Sequence, residues 1–319
     1  MSLTRLGLQI PSFTFPGVPD AELFDTIAGI ARTAEESGFD SLWVMDHFYQ
    51  IGMVGPRTDP MLEAYSLLSG IAARTDRARL GAMVTGVTYR NPALLAKTVT
   101  TLDVISSGRA ILGIGAAWND DEHEGYGFDF PPVKERMDRL EDALRICRAM
   151  FTEEAPTVEG RHSSIMGALN FPRPVRGSIP ILVGGGGERR TLRLVAQYAD
   201  ACNIFGDRAM VRQKLDVLER HCADVGRDPA EITTTRLGTL IMRSTAEEAG
   251  RAAEAAAAAR GMPAEQLRAM ATVGGPEQVA EEVRGHAEEG LDGFIFNMPG
   301  VHDLAVVRLA GETLAKALG

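Results

Sequence analysis

The chain has 319 residues, of which 45% are hydrophobic and 24% charged, enough apolar sequence for a large core. Its formal net charge is −10 and it carries no Lys/Arg block, which argues against nucleic acid or an anionic membrane as partner. The scattered cysteines Cys147, Cys202 and Cys222 argue against a disulfide framework or a zinc site, and the first ten residues show no signal-peptide pattern. A soluble, cytoplasmic protein is expected.

Residues 5–10 form a short β-like run ended by Pro11. Residues 21–37 have helical spacing, with Asp20 as N-cap and Gly38 as the stop. Residues 41–45 read as a buried strand that ends abruptly in Asp46 and His47. A helix over 60–73 and a strand over 80–85 follow. Residues 92–105 form a helix with Asn91 as N-cap and Pro92 at its first position. Residues 110–114 are a fourth, very apolar strand.

The next part is less regular. Residues 118–127 are polar and acidic, and 133–150 form a long amphipathic helix. The segment 151–178 has weak periodicity and several Pro and Gly, so it reads as an irregular insertion over the barrel face, after strand four and its helix. Strands are then expected at 181–183, 201–204, within 232–242 and at 293–296. Helices are expected at 189–198, 209–225, 246–260, 276–289 and 304–318.

Eight strands alternating with helices predict a single α/β domain over 1–319, a closed (β/α)8 TIM barrel. An open doubly wound sheet is the competing fold, but no G-x-G-x-x-G with a following acid succeeds the first strand. In a barrel the residues just after each strand face the ligand. Asp46 and His47 end strand two, where an imidazole can move protons near neutral pH, or where both can serve as turn cap and structural histidine. Thr85 and Gly86 interrupt strand three. Gly113, Gly115, Ala116 and Ala117 precede Trp118 after strand four, and such small residues let a planar ligand approach the backbone. Glu122, His123 and Glu124 are consecutive, so they cannot all face one metal ion from a helix and are read as a solvated face. Gly184, Gly185, Gly186 and Gly187 lead into a helix, which suits a phosphate; Arg189 or Arg190 could help clamp it. There is no Walker lysine and no Gly-x-Ser-x-Gly.

Several of these stretches occur together and in order. Ala34-Glu35-Glu36-Ser37-Gly38-Phe39-Asp40-Ser41-Leu42-Trp43 leads into Asp46-His47. Thr88-Tyr89-Arg90-Asn91-Pro92-Ala93-Leu94-Leu95-Ala96-Lys97 follows, then Leu102-Asp103-Val104-Ile105-Ser106-Ser107-Gly108-Arg109, Gly113-Ile114-Gly115 and Gly184-Gly185-Gly186-Gly187-Glu188. Over nearly its whole length the chain resembles the luciferase-like monooxygenase superfamily, in the branch that uses the deazaflavin coenzyme F420. The resemblance implies a bacterial luciferase-like barrel with the coenzyme at the C-terminal strand ends. It also implies a non-prolyl cis peptide at Met83–Val84 behind the coenzyme ring, and homodimerisation.

Residue by residue, the resemblance gives His47 the role of proton donor or substrate-orienting group. Asp46 would hydrogen-bond the ring edge or hold the imidazole. Met83, Val84, Thr85, Gly115, Ala116 and Trp118 would contact the coenzyme, with Gly184, Gly185, Gly186 and Gly187 around its phosphate. No metal is implied. One departure stands out: sugar-phosphate dehydrogenases of the family place a glutamate shortly after strand four, where this chain has Trp118, with Glu122 four residues on. That disfavours a sugar phosphate and leaves the second acid unassigned. The expected function is F420-dependent hydride transfer to or from a small organic substrate. The alternatives are an FMN-dependent monooxygenase, a non-catalytic flavin-binding barrel, and an unrelated phosphate-binding barrel.

Overall fold

The structure is a computed structural model that describes residues 3–319; residues 1–2 lie outside them. Its elements, in chain order, are β1 (Leu6–Ile10), α1 (Leu23–Ser37), β2 (Ser41–Val44), α2 (Ala64–Ala72), β3 (Arg79–Ala82), β4 (Thr85–Gly86), α3 (Pro92–Ile105) and β5 (Ala110–Gly115). Then come α4 (Asp120–Tyr126), α5 (Val133–Thr152), β6 (Ile181–Gly184), α6 (Thr191–Tyr198), β7 (Ala201–Ile204) and α7 (Arg208–Val225). The chain ends with β8 (Thr233–Met242), α8 (Ala246–Ala259), α9 (Ala264–Met270), β9 (Ala271–Gly274), α10 (Pro276–Glu288), β10 (Gly293–Asn297) and α11 (Leu304–Leu318).

All strand pairings are parallel, in the order β1-β2-β3-β5-β6-β7-β8, and β10 closes the sheet by pairing with both β8 and β1. The result is a (β/α)8 barrel. Short local signals set its helices: Asn91 accepts from the Ala93 and Leu94 N–H groups at 2.9 and 3.3 Å, with Pro92 at the first position of α3. The third barrel strand is split. β3 stops at Ala82, the Met83–Val84 peptide is cis, and pairing resumes in β4 against β5.

Trp43 of β2 points into the barrel and fills it. A Cβ on Gly81 would lie 2.6 Å from the indole, and one on Gly113 would lie 2.0 Å from the Ala82 carbonyl oxygen. Both glycines are therefore fixed by close approach. Trp43, Met83, Ile111, Leu182, Ala201 and Ile295 form the interior plug beneath the strand ends. Two residues of the quoted motifs brace other connections instead of the site. Glu35 accepts the Asp76, Arg77 and Ala78 N–H groups, and Arg109 donates to the Ala72, Thr75 and Ala78 carbonyls. These contacts cluster on the turn between α2 and β3, where they serve stability.

Three features add to the expected elements. The segment 151–178 is irregular after α5 ends at Thr152, with a single Val158–Ile165 bridge. Asn170 donates to Thr100 and to the Met150 carbonyl, Lys97 to the Phe171 carbonyl, and the Val175 N–H to Asp103, so the segment is strapped to α3 and α5. The long β8 outruns its barrel neighbours, and β9, unforeseen, pairs with its last four residues. The acidic stretch after β5 contains a helix, α4, whose inner face is buried.

Gly113→Ala should lower stability by about 3 kcal/mol, because nothing beside the Ala82 carbonyl can yield without breaking β3. Gly52→Ala, with open space around it, should be neutral in the same urea titration. Equal midpoints would show that the Gly113 contact is not limiting.

Candidate active site

A cavity of about 320 Å³ opens at the C-terminal ends of β2 to β8. Its wall includes Asp46, His47, Met83, Val84, Thr85, Gly115, Ala116 and Trp118, all expected from the sequence. Gly184 and Gly185 also belong to it; Gly186 and Gly187 do not. The cis bulge explains the small residues around it. A Cβ on Gly115 would lie 2.9 Å from the Val84 side chain, and one on Gly184 would lie 2.7 Å from it. These glycines make room for Val84, not only for a ligand.

Asp46 and His47 leave β2 side by side but do different jobs. Arg90 grips Asp46 with both terminal nitrogens, at 2.7 and 2.9 Å, and its second nitrogen also reaches Glu63 at 2.6 Å. The Gly86 N–H adds a further bond to Asp46 at 3.2 Å, which ties β2 to β4. Burial acts first on the Arg90 guanidinium, to lower its pKa, but the Asp46 bonds and charge outweigh it and drive the pKa up. Asp46 therefore does not hold the imidazole, which corrects that part of its expected role.

Glu122 holds it. The Nδ1 of His47 lies 2.7 Å from Glu122 Oε2. The same carboxylate accepts from the Tyr49 N–H at 3.0 Å, the Tyr89 hydroxyl at 3.0 Å and the Asn119 amide at 2.8 Å, and from the Phe48 N–H. Glu122 and His123 are both 0% exposed, so the reading of this stretch as a solvated face is overturned for both. Burial raises the Glu122 carboxyl, but the His47 hydrogen bond and charge and the Tyr49 and Phe48 N–H groups prevail and hold it below the usual range. A carboxylate can only accept, so His47 donates from Nδ1 and leaves Nε2 for a ligand. His123 is structural: its Nδ1 lies 2.6 Å from the Asn119 carbonyl and its Nε2 2.6 Å from the Thr88 hydroxyl.

An aromatic shell explains why α4 turns its acid inward. Phe48 stacks on Tyr126 at 4.6 Å and on Phe128 at 5.8 Å, and tilts against Tyr89 at 4.7 Å. Trp118 meets the His47 ring edge-on at 5.5 Å. It is aimed there by Ala117, which adopts the left-handed region at φ 60° while its carbonyl accepts from Arg136 at 2.8 Å.

The cavity wall also holds a polar atom in need of a partner. The Thr235 hydroxyl donates to the Cys202 carbonyl at 3.0 Å, so its oxygen must accept from the Asn203 amide at 2.9 Å. That fixes the orientation of the Asn203 amide. Its Oδ1 is buried and has no partner among the described residues. Beside the glycine loop, Lys214 and Gln213 bind Glu188 at 2.7 and 2.8 Å, while Arg190 turns away to Asp138 at 2.5 Å. Arg190 is thus no anion clamp. Among the described residues, no cluster of His, Cys, Asp or Glu is arranged to hold a metal ion, and no helix is long and apolar enough to cross a membrane.

Sequence reasoning passed over Glu122, Arg90, Tyr89, Asn203, Phe205 and Leu237. Tyr89 and Arg90 lay inside a quoted motif without a role, and Glu122 was noticed but placed on the wrong face. The others had no local signal.

The depressed Glu122 carboxyl stabilises the fold above the usual glutamate range, and the contribution is lost as pH falls through its lowered pKa. Glu122→Gln should therefore cost roughly 3 kcal/mol at neutral pH, since an amide nitrogen would face N–H donors. The gap in Tm between the two proteins should narrow in acid. A pH-independent gap would contradict the ionised hub.

Residues 4–258 match the family model described as luciferase-like monooxygenase. An F420-dependent glucose-6-phosphate dehydrogenase from Kineococcus radiotolerans is 30% identical over 299 residues, covering 86% of this chain and 87% of that one. An F420-dependent secondary alcohol dehydrogenase, solved with an F420-acetone adduct, superposes with a TM-score of 0.81 at 19% identity over 99% of both chains. A monooxygenase from Streptomyces bottropensis gives 0.82 at 21% identity, covering 99% of this chain and 100% of the other. The two structures share the fold. The family model spans well over half of the chain, and the chain belongs to the luciferase-like monooxygenase family.

Proposed function

We propose that the protein is an F420-dependent oxidoreductase that moves a hydride between the deazaflavin and a small organic substrate. His47 exchanges the accompanying proton. The observation that carries this reading is the His47–Glu122 pair at 2.7 Å, set in a cavity backed by Met83 and Val84. The F420-dependent relatives support the choice of coenzyme.

The residues present fit a deazaflavin. Asn203 Oδ1 lacks a donor, and the ring's imide N–H is a group that would supply one. When bound, the coenzyme supplies or accepts the hydride. Val84 would back the ring, and the N–H groups of Gly186 and Gly187, which lie beyond the cavity wall and before α6, would hold its phosphate. Glu122 keeps the proton on His47 Nδ1, so Nε2 is the atom that gives a proton to, or takes one from, the substrate oxygen. Trp118, edge-on to the His47 ring at 5.5 Å, stands beside the place of that exchange. Bound FMN acting with O2 is the alternative, and the monooxygenase likeness is its support. The reading also includes a cytoplasmic location and a homodimer, the latter checked by light scattering at twice the chain mass.

Titrating the apoprotein with each cofactor should give tighter binding of F420 than of FMN; the reverse order would favour the monooxygenase. His47→Asn should lower kcat by about 10²–10⁴-fold while leaving the F420 Kd within about threefold. Equal turnover would remove His47 from the mechanism. Asn203→Leu should weaken F420 binding about tenfold, and an unchanged Kd would show that its Oδ1 meets no coenzyme donor.

A further inference from the structure

The two oxygens of Glu122 are used unequally. Oε2 accepts from His47 Nδ1 at 2.7 Å, from the Asn119 amide at 2.8 Å and from the Tyr89 hydroxyl at 3.0 Å. The Phe48 and Tyr49 N–H groups bind Oε1 and hold the carboxylate from the other side. The oxygen that holds the imidazole is therefore shared, and the charge it offers His47 is divided with Tyr89 and Asn119.

Tyr89 is set for this contact by packing. Its ring lies 4.7 Å from Phe48, 4.8 Å from His123 and 5.5 Å from Phe128, and a Cβ on Gly86 would lie 2.8 Å from it. Burial first, then the charge of Glu122, push its pKa up, so the hydroxyl stays a donor. Tyr89 lines the cavity; Asn119 does not. The other charged and titratable groups around the pair are engaged or turned outward. Asp46 is bound to Arg90, and His123 to the Asn119 carbonyl and the Thr88 hydroxyl. Arg57 lies 4.4 Å over the Tyr49 ring. On α4, Asp120, Asp121 and Glu124 are exposed.

We propose that Tyr89 is a positioning residue for the proton exchange: by sharing Oε2 it weakens the hold of Glu122 on a protonated His47, so that the imidazole releases its proton. The inference rests on the role given to His47 above. Tyr89 itself keeps its proton throughout, and the proton that moves is the one on His47 Nε2. A carboxylate with fewer donors would stabilise the imidazolium more strongly and retain that proton.

The test follows the His47 ring signals by NMR as the pH of the coenzyme-free protein is changed, with His47→Asn identifying them. Tyr89→Phe keeps the packed ring and removes the hydroxyl. The His47 signals should then titrate about half a pH unit higher, and the Nδ1 proton signal should move downfield. Asn119→Ala removes the other donor to Oε2 but retains the backbone carbonyl that His123 uses, and should move both readouts the same way. Tyr126→Phe removes a hydroxyl from the same aromatic shell that does not bind Glu122, and should move neither. An unmoved or lower titration in Tyr89→Phe, or an equal rise in Tyr126→Phe, would overturn the inference. So would an unmoved titration in Asn119→Ala, which keeps the test decisive if the tyrosine variant is unstable. None of these readouts needs F420, so their failure leaves the coenzyme reading standing. Failure to bind F420 would overturn that reading without moving them.

Discussion

One buried carboxylate sets the geometry of the whole mouth of the barrel. Glu122 accepts from five groups that come from three separate stretches of chain: the loop after β2, the turn before α3, and the start of α4. Each of these donors is a hydrogen that a carboxylate can accept and a carboxylic acid cannot fully satisfy. Their convergence keeps the acid ionised, and the charge in turn fixes the proton on His47 Nδ1. The loop backbone, the imidazole tautomer and the position of Nε2 thus follow from a single interaction.

Beneath this hub the barrel is sealed. The Trp43 plug occupies the space that Gly81 and Gly113 leave open, and the cis bulge brings Val84 up beside Gly115 and Gly184. Polar ligand contacts therefore come from the upper layer, where His47, Asn203 and Thr191 line the cavity with the backbone around the strand ends. Asp46, although adjacent to His47, is locked to Arg90 and joins β2 to β4 as a girder. The site is rigid on the side of the protein's own charges and open where Trp118 and Phe205 stand.

The barrel was legible from the sequence because its strands are short, continuous apolar runs separated by helices with clear caps, as at Asn91 and Gly38. Asp46 and His47 were legible because a buried strand ending in two polar residues is a local pattern. Glu122 was not. In a helix of seven residues, three consecutive polar side chains give no period, and the packing of Phe48 and Tyr89, distant in sequence, with Phe128 just beyond the helix decides which face is inward. The partner of Asp46 lies 44 residues away, beyond the reach of any spacing argument. The segment 151–178 is positioned by single bonds such as Asn170 to Thr100, and the unpaired acceptor on Asn203 depends on a hydroxyl in the next strand. Such features are tertiary, and appear only once the strands are in register.

The central claim is hydride exchange with a deazaflavin, assisted by a Glu122-held imidazole. Its most direct test is to follow a label from the coenzyme into the product. Reduced F420 carrying deuterium at its hydride-donating carbon is mixed with the protein and a ketone in ordinary water under 18O2. The account predicts one deuterium on the carbinol carbon of the alcohol, at a slower rate than for the unlabelled coenzyme, and no 18O in the product. Incorporated 18O, or a carbinol carbon bearing only solvent hydrogen, would contradict it.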